Sequence, residues 1–543
     1  MKRINMKRVA LFAIIFTLAA GCKKLDLAPE DRFTDLTYWS SPAKALSMLN
    51  TAYSQIYNTD NFFYNEALSD NAYSRNDVSG SNSIATGAYD ASLSRLKNEW
   101  NDHYKGIKSC NLLLSNIDKV PQMDETLKNR MKAEARLLRA FQYFQLMTWF
   151  GGVPLFDKDI DINTARSIQR SPRAEVLDFI LKELDLAVGD LPTNTTLPEA
   201  ERGRLTKGAA IALKARVLLY ESRWQEAADL CQKLIGGTEY GTYSLFPSYE
   251  GVFLPQNEYN SEVILDIEFV PVKRAWGTFF DLAPISAGAR LNAMAPTQEL
   301  VDSYMMLNGK RINESGSGYN ESDPYKNRDP RLSYTVVYHG YNWKNEDGST
   351  RTIYIRPGSD PSSAKTDEYS PGSSKTPTGY YLRKYFDPTH DNNLSSGLNL
   401  ILIRYADVLL MYAEAKNELS KLDESAWNQT VKALRSRAGF TDAAALNYNN
   451  AWSQEDLRQI IRNERRVELA MEGQRIFDIR RWKIAETVLN GWVHGAKYGP
   501  ANEDNGYIRA SLRNFDKGKH YLWPVPREER SINPNLSQNP GWN

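Results

Sequence analysis

The sequence predicts a mainly α-helical protein in which helix pairs form a scaffold, covered on one side by loops and short strands. Three observations carry that prediction. Apolar residues recur at helical spacing through much of the first 240 residues and again after about residue 400. Alanines stand where paired helices must approach closely. Between about 241 and 400 the helical period gives way to Gly, Ser, Asn, Asp, Pro and Tyr, and unstructured stretches of that length in a compact protein are usually functional.

Taken in order, the first helix is expected over 41–57. Ser41-Pro42 supplies an N-cap and a first-turn proline, and Leu46, Leu49, Tyr53 and Ile56 share one face. Residues 58–94 lose the period and read as a long loop region. Helices resume over 96–120 and 125–150. The second has an apolar stripe broad enough for burial on more than one side, and Gly151-Gly152-Val153-Pro154 stops it. A helix over 173–191 precedes a hairpin of 206–221 and 224–235 closed around Ser222-Arg223, with small residues at Ala209, Ala212 and Ala215. This hairpin resembles a tetratricopeptide pair, which buries its faces by stacking on neighbours; an ordinary antiparallel pair fits the same pattern. A second pair is expected at 403–419 and 426–437. Strands are expected over 263–269 and near 332–339 and 352–355.

The N-terminus has the build of an export signal. Lys2, Arg3, Lys7 and Arg8 precede a near-apolar run over 9–20, too short to span a bilayer, which needs roughly 20 apolar residues. The run ends in Leu18-Ala19-Ala20-Gly21-Cys22, which looks like a bacterial lipobox: small residues before a cysteine whose thiol takes a diacylglyceryl group. The expectation is a signal peptide over 1–21 and a mature chain lipid-anchored at Cys22. Removing 1–21 takes four cations and no acids, so 63 basic residues face 66 acidic ones, a net −3. A near-neutral chain does not carry the clustered basic footprint of a nucleic-acid binder. Cys110 and Cys231 both sit in helical patterns, which favours two buried thiols, although one bridge between them fits the sequence too.

Catalytic signatures are missing from the sequence. The five histidines are scattered, and there is no HExxH, no Cys/His metal spacing, no GxSxG and no phosphate-binding glycine loop. No cofactor and no metal are expected, and no DxDxDG calcium loop occurs. A glycosidase needs only two carboxylates at the right separation, which a sequence does not display.

Several segments together carry a family resemblance. After the lipobox comes CKKLDLAPEDRF, then EARLLRAFQYFQLMTWFGGVPL at 134–155, NRDPRL at 327–332 and IRYADVLLMYAEAKNEL at 403–419. IRNERRVELAMEGQRIFDIRRW at 461–482 and YLWPVPREERSINPNLSQNPGW at 521–542 complete the set. Their order and identity resemble the SusD/RagB family of outer-membrane lipoproteins of the Bacteroidetes. The resemblance implies one structural unit, in which an N-terminal helical region (22–240) packs with a C-terminal region (241–543). It also implies a function without catalysis: capture of a glycan, or in some members a peptide, for a TonB-dependent (SusC-like) transporter in the outer membrane. An enzyme or a purely structural lipoprotein is the third reading.

The resemblance places the ligand on a shallow arc built from loops of the first helical half and the central segment. Candidates in the first loop are Asp70, Asn71, Tyr73, Arg75 and Tyr89. In the central segment they are Trp276, Phe279, Phe280, Arg290 and Trp343. Sugars lay C–H faces on aromatic rings and pair their hydroxyls with Asp, Asn and Arg. Each candidate also has a plainer role: loop capping for Asp70 and Asn71, packing beneath a loop for Tyr89 and Trp343. Trp276, in a non-periodic context, is the most attractive. The densest charged motif, Glu464, Arg465, Arg466, Glu468, Glu472, Arg475, Asp478, Arg480 and Arg481, reads as structural ion pairs built on arginine's bidentate geometry.

Overall fold

The computed structural model describes residues 38–345, 347–389 and 395–542, with only the backbone of Phe279 and Phe280. The expected signal peptide and Cys22 lie outside the described residues. Helix α1, Pro42–Ser54, starts on Ser41 with proline in its first turn. A three-residue strand, β1 (Ala72–Ser74), interrupts the expected loop. Helix α2 (Ser94–Asn116) and helix α3 (Glu125–Phe150) pack side by side. Asp124 caps α3 by accepting from the Leu127 amide at 2.9 Å, and the chain turns off at Gly151 with φ of 77°. The two helices approach so closely that a Cβ at Gly106 would stand 2.5 Å from Gln142 Nε2. As its broad stripe predicts, α3 is buried on several sides, from Leu137 and Leu138 to Trp149 and Phe150.

Helix α4 (Arg173–Asp190) lies along α3, and α5 (Lys207–Tyr220) pairs with α6 (Trp224–Gly236) across the Ser222-Arg223 turn. Thr206 caps α5. In the second half, β2 (Val263–Ile267) precedes β3 (Met294–Pro296) and α7 (Gln298–Ser303), and β4 (Leu400–Arg404) leads directly into α8 (Tyr405–Glu418). Then come α9 (Gln454–Glu468), opened by a Ser453/Asp456 capping box, α10 (Arg475–Arg481), and a hairpin of β5 (Gly491–His494) with β6 (Arg509–Arg513). Helix α8 packs on α6, so the late helices continue the stack begun by the early ones. One connected core runs from Trp39 to Leu536.

Two expectations are corrected. Ile403 and Arg404 belong to a strand, not a helix: β4 pairs antiparallel with β2, Val263 opposite Arg404 and Ile267 opposite Leu400. All five β4 residues are buried, and a short continuous apolar run reads equally as buried strand or buried helix. The expected helix at 426–437 is broken by a π-helical turn over Asn428–Lys432. Cys110 and Cys231 are buried and unpaired, and burial pushes the Cys110 thiol up to about 12. Among the described residues no helix is long and apolar enough to cross a membrane.

Candidate functional site

The joint between the first loop and the central segment is the β1–β3 pair. Tyr73 stands opposite Ala295, Ala72 opposite Pro296, and the ladder extends through Arg75, whose amide donates to the Ala293 carbonyl at 3.0 Å. The Ala293 amide in turn donates to the Asp281 carbonyl at 2.7 Å, bringing in the 281–293 loop. Arg290 donates to both Asp281 carboxylate oxygens at 3.0 Å and is 57% exposed. A third strand of chain closes the other flank: Arg75 Nη2 donates to the Lys375 carbonyl, and the Asn292 amide to the Ser374 carbonyl. Tyr369, six residues before Lys375, stands beside Arg75. Tyr73, Arg75 and Tyr369 thus share one half-exposed surface, and the Arg290–Asp281 pair lies on the adjoining 281–293 loop, beside Asp60.

The electrostatics of this surface are unsaturated. No carboxylate pairs with Arg75 among the described residues, and partial burial holds its guanidinium below the usual value. The same burial raises the Tyr73 and Tyr369 hydroxyls, so both stay protonated donors. Burial also pushes the Asp281 carboxyl up, with Arg290 opposing it. The sequence reasoning missed Tyr369 and Asp281. A tyrosine before Ser-Pro-Gly in a loop was a usable signal; Asp281 had none.

Four candidates are corrected, because the structure buries them. Trp276 is 5% exposed, packs on Phe63 at 5.0 Å between ring centroids and donates Nε1–H to the Leu398 carbonyl at 2.7 Å. Trp343 is 2% exposed, lies edge-on to Phe386 and carries the Arg383 guanidinium at 4.7 Å. Asn71 is fully buried, donating to Glu66 and accepting from Arg466 Nε at 2.9 Å. Asp70 accepts from Arg475 Nε at 2.8 Å and Nη2 at 3.0 Å, with Arg466 at 3.1 Å. Burial alone would raise the Asp70 carboxyl, but Arg466 and Arg475 outweigh it and hold it well below the usual carboxylate range. Tyr89 is half-buried between His520 and Trp542, the packing role. The side chains of Phe279 and Phe280 lie outside the described residues.

Beneath the surface runs a buried ion-pair network. Glu464 meets Arg331 and Arg435, and Glu468 meets Arg331, Arg404 and Arg437. Glu472 takes Arg404 and Lys384 at 2.7 Å. Arg465 joins Asp407 to Asp478, and Arg481 joins Asp478 to Glu414. Arg480 is the correction here: among the described residues it makes no ion pair. It donates to the Tyr521 carbonyl and lies 4.5 Å over the Trp149 ring, and burial lowers its pKa to about 10.

A stack of helix pairs whose loops present a shallow aromatic and guanidinium surface, clamped from below by buried charges, defines the class: a helical binding scaffold. Residues 274–542 match the model of the SusD family, and residues 25–219 match a model described as starch-binding associating with outer membrane. SusD-like protein P2 of Formosa agariphila is 28% identical over 448 residues, spanning 82% of this chain and 80% of its own. A SusD-like carbohydrate binding protein from Bacteroides fragilis matches with a TM-score of 0.82 at 30% identity, over 92% of this chain and 100% of its own. Another SusD-like protein from that species matches at 0.80 and 28%, over 95% and 100%. The chain belongs to the SusD family.

Proposed function

We propose that this protein captures an oligo- or polysaccharide on the Tyr73–Arg75 surface and hands it to a TonB-dependent outer-membrane transporter. Lipid on Cys22 would hold it at the outer membrane, facing the cell exterior. The observation that carries the reading is the β1–β3 pair, which sets Tyr73 and Arg75 against the loop of Asp281 and Arg290, with Tyr369 beside Arg75. Aromatic rings offer faces to sugar C–H groups, while an unpaired guanidinium and a carboxylate serve hydroxyls of either polarity. Membership of the SusD family supports the ligand class, as does the B. fragilis relative, whose name is that of a carbohydrate binding protein. The family model described as associating with the outer membrane supports the location.

The test is affinity electrophoresis over a panel of polysaccharides, followed by calorimetric titration of the best one, using chain that begins after Cys22. Tyr73→Ala and Arg75→Ala should each weaken binding about tenfold, the value of one charge-assisted hydrogen bond or one ring contact. Their melting temperatures should stay close to wild type. Peptide binding with no glycan binding would overturn the ligand class, and turnover of the bound ligand would overturn the non-catalytic reading. In cells, Cys22→Ala should leave the membrane fraction while still binding ligand.

A further inference from the structure

A second cleft, of about 600 Å³, opens between α9, α7, the 311–313 loop and residues 482–488. That volume lies in the range of small-ligand sites. Four arginines line it: Arg311, Arg462, Arg466 and Arg475. Two carboxylates share the lining, Glu299 and Asp302, and both are engaged. Glu299 accepts from His494 Nδ1 at 2.8 Å and from the His494 amide at 3.0 Å; Asp302 accepts from Gln298 at 2.7 Å.

Burial outweighs Glu414 and Glu418 at Arg462, and Asp70 and Glu299 at Arg466, leaving both under-compensated, whereas Asp70 holds Arg475 above its usual value. Arg466 and Arg475 share the single carboxylate of Asp70. Behind them Arg513 donates, among the described residues, to backbone carbonyls alone, including Ala72 at 2.7 Å, and burial lowers its pKa to about 10. Burial likewise pulls Arg466 down in spite of Asp70. Arg462 makes no ion pair among the described residues, and its Nε is buried without a hydrogen-bond partner. In a molecule whose other α9 arginines each hold a carboxylate, Arg462 is the exception. Its guanidinium lies 4.7 Å over the Trp482 ring, and Arg481 approaches the same ring at 4.8 Å. Cations therefore already occupy the tryptophan that would otherwise stack on a neutral sugar.

We infer that this cleft is an anion site, separate from the Tyr73–Arg75 surface, which takes an oxyanion substituent of an acidic saccharide, a sulfate ester or a uronic carboxylate. Planar guanidinium forks match both groups through paired N–H···O contacts. Only the word saccharide rests on the proposed function; the preference for an oxyanion rests on the arginines alone.

Titration calorimetry with glucose 6-sulfate, glucuronate, inorganic sulfate and uncharged glucose separates the sources. The sugar sulfate or the uronate should bind, glucose should not, and affinity should fall as salt rises from about 20 to about 300 mM. Arg462→Ala should weaken binding about tenfold or more, and Arg462→Lys less. Should Arg462→Ala fail to fold, Arg311→Ala, at an exposed residue with no ion pair among the described residues, should still weaken anion binding severalfold. Binding of no charged probe, or equal binding by the arginine variants, overturns the site. Inorganic sulfate binding as tightly as the sugar sulfate and uronate overturns the saccharide assignment and leaves an adventitious ion only. Loss with Arg75→Ala instead of Arg462→Ala would move the anion to the first surface. Neutral-glycan binding tests the proposed function independently of all these outcomes.

Discussion

Glu468→Gln removes one charge and almost no volume from the centre of the buried network. Three guanidinium groups meet that carboxylate: Arg331 and Arg404 at 2.7 Å, and Arg437. Each keeps another partner. Arg331 retains Asp329 and Glu464, Arg404 retains Glu262 and Glu472, and Arg437 retains Glu262 at 2.8 Å. The variant is therefore left with one uncompensated buried charge, not three, which costs about 3–5 kcal/mol. An unfolding entropy of about 2.1 cal/mol/K per residue over roughly 500 residues means about 1 kcal/mol per degree, so Tm should drop by about 3–5 °C. Differential scanning calorimetry at neutral pH measures it. The pH dependence gives a second check. Burial would raise the Glu468 carboxyl, but Arg437, Arg404 and Arg331 hold it well below its usual value. A depressed carboxylate contributes its full stability above the unfolded pKa of about 4.3 and loses it as pH falls through that value toward the folded one. The gap between wild type and variant should be constant from about pH 8 to about pH 6 and close only in acid. A Tm within about 1 °C of wild type, or a gap that widens on acidification, would refute the reasoning.

Other expectations concern single buried groups. Burial, then Glu268, pushes Asp266 up to about 8, while Asn399 Nδ2 at 3.1 Å opposes the shift. A raised carboxyl penalises the fold increasingly as pH climbs from about 4 toward 8, so Asp266→Asn should gain in Tm over wild type at pH 8 more than at pH 5; an equal gain would count against it. Trp276→Ala should cost about 3–5 kcal/mol of stability through its cavity, yet leave ligand affinity of the folded protein close to wild type at low temperature. A selective loss of binding at unchanged Tm would restore Trp276 to the ligand surface. Cys110 and Cys231 should react with a thiol reagent only after denaturation, and reductant should not move Tm.

The scaffold was readable because its helices carry their own signals. Asp124, Thr206 and Ser41-Pro42 mark starts, Gly151 marks a stop, and the alanines of α5 announce a close neighbour. Misreadings arose where burial comes from afar. Ile403 and Arg404 look helical until β2, some 140 residues earlier in the chain, is paired with them. Trp276 sits in an aperiodic stretch, the usual mark of a surface loop, but Phe63 and Leu398 enclose it. Asp70 and Asn71 looked available to a sugar because Arg475 and Arg466 stand 405 and 395 positions away. Tyr73 and Arg75 were legible as types, an aromatic and a cation two residues apart on an extended segment. Their approach to the 281–293 loop follows from β1–β3 pairing, which three residues of strand do not advertise, and Tyr369 arrives with the segment bonded to Arg75 at Lys375.

The buckle at Asp70 has a consequence for how the molecule is completed. The loop before Tyr73 is held by Arg466, Arg475, Arg513 and the Gly473 amide, all from the final stretch of the chain. The Tyr73 loop therefore depends for its order on side chains and an amide from residues 466–513. A chain cut before Arg466 should keep much of its helical circular dichroism yet leave the Tyr73 loop unclasped, so by the proposed function it should not compete with the full chain for ligand.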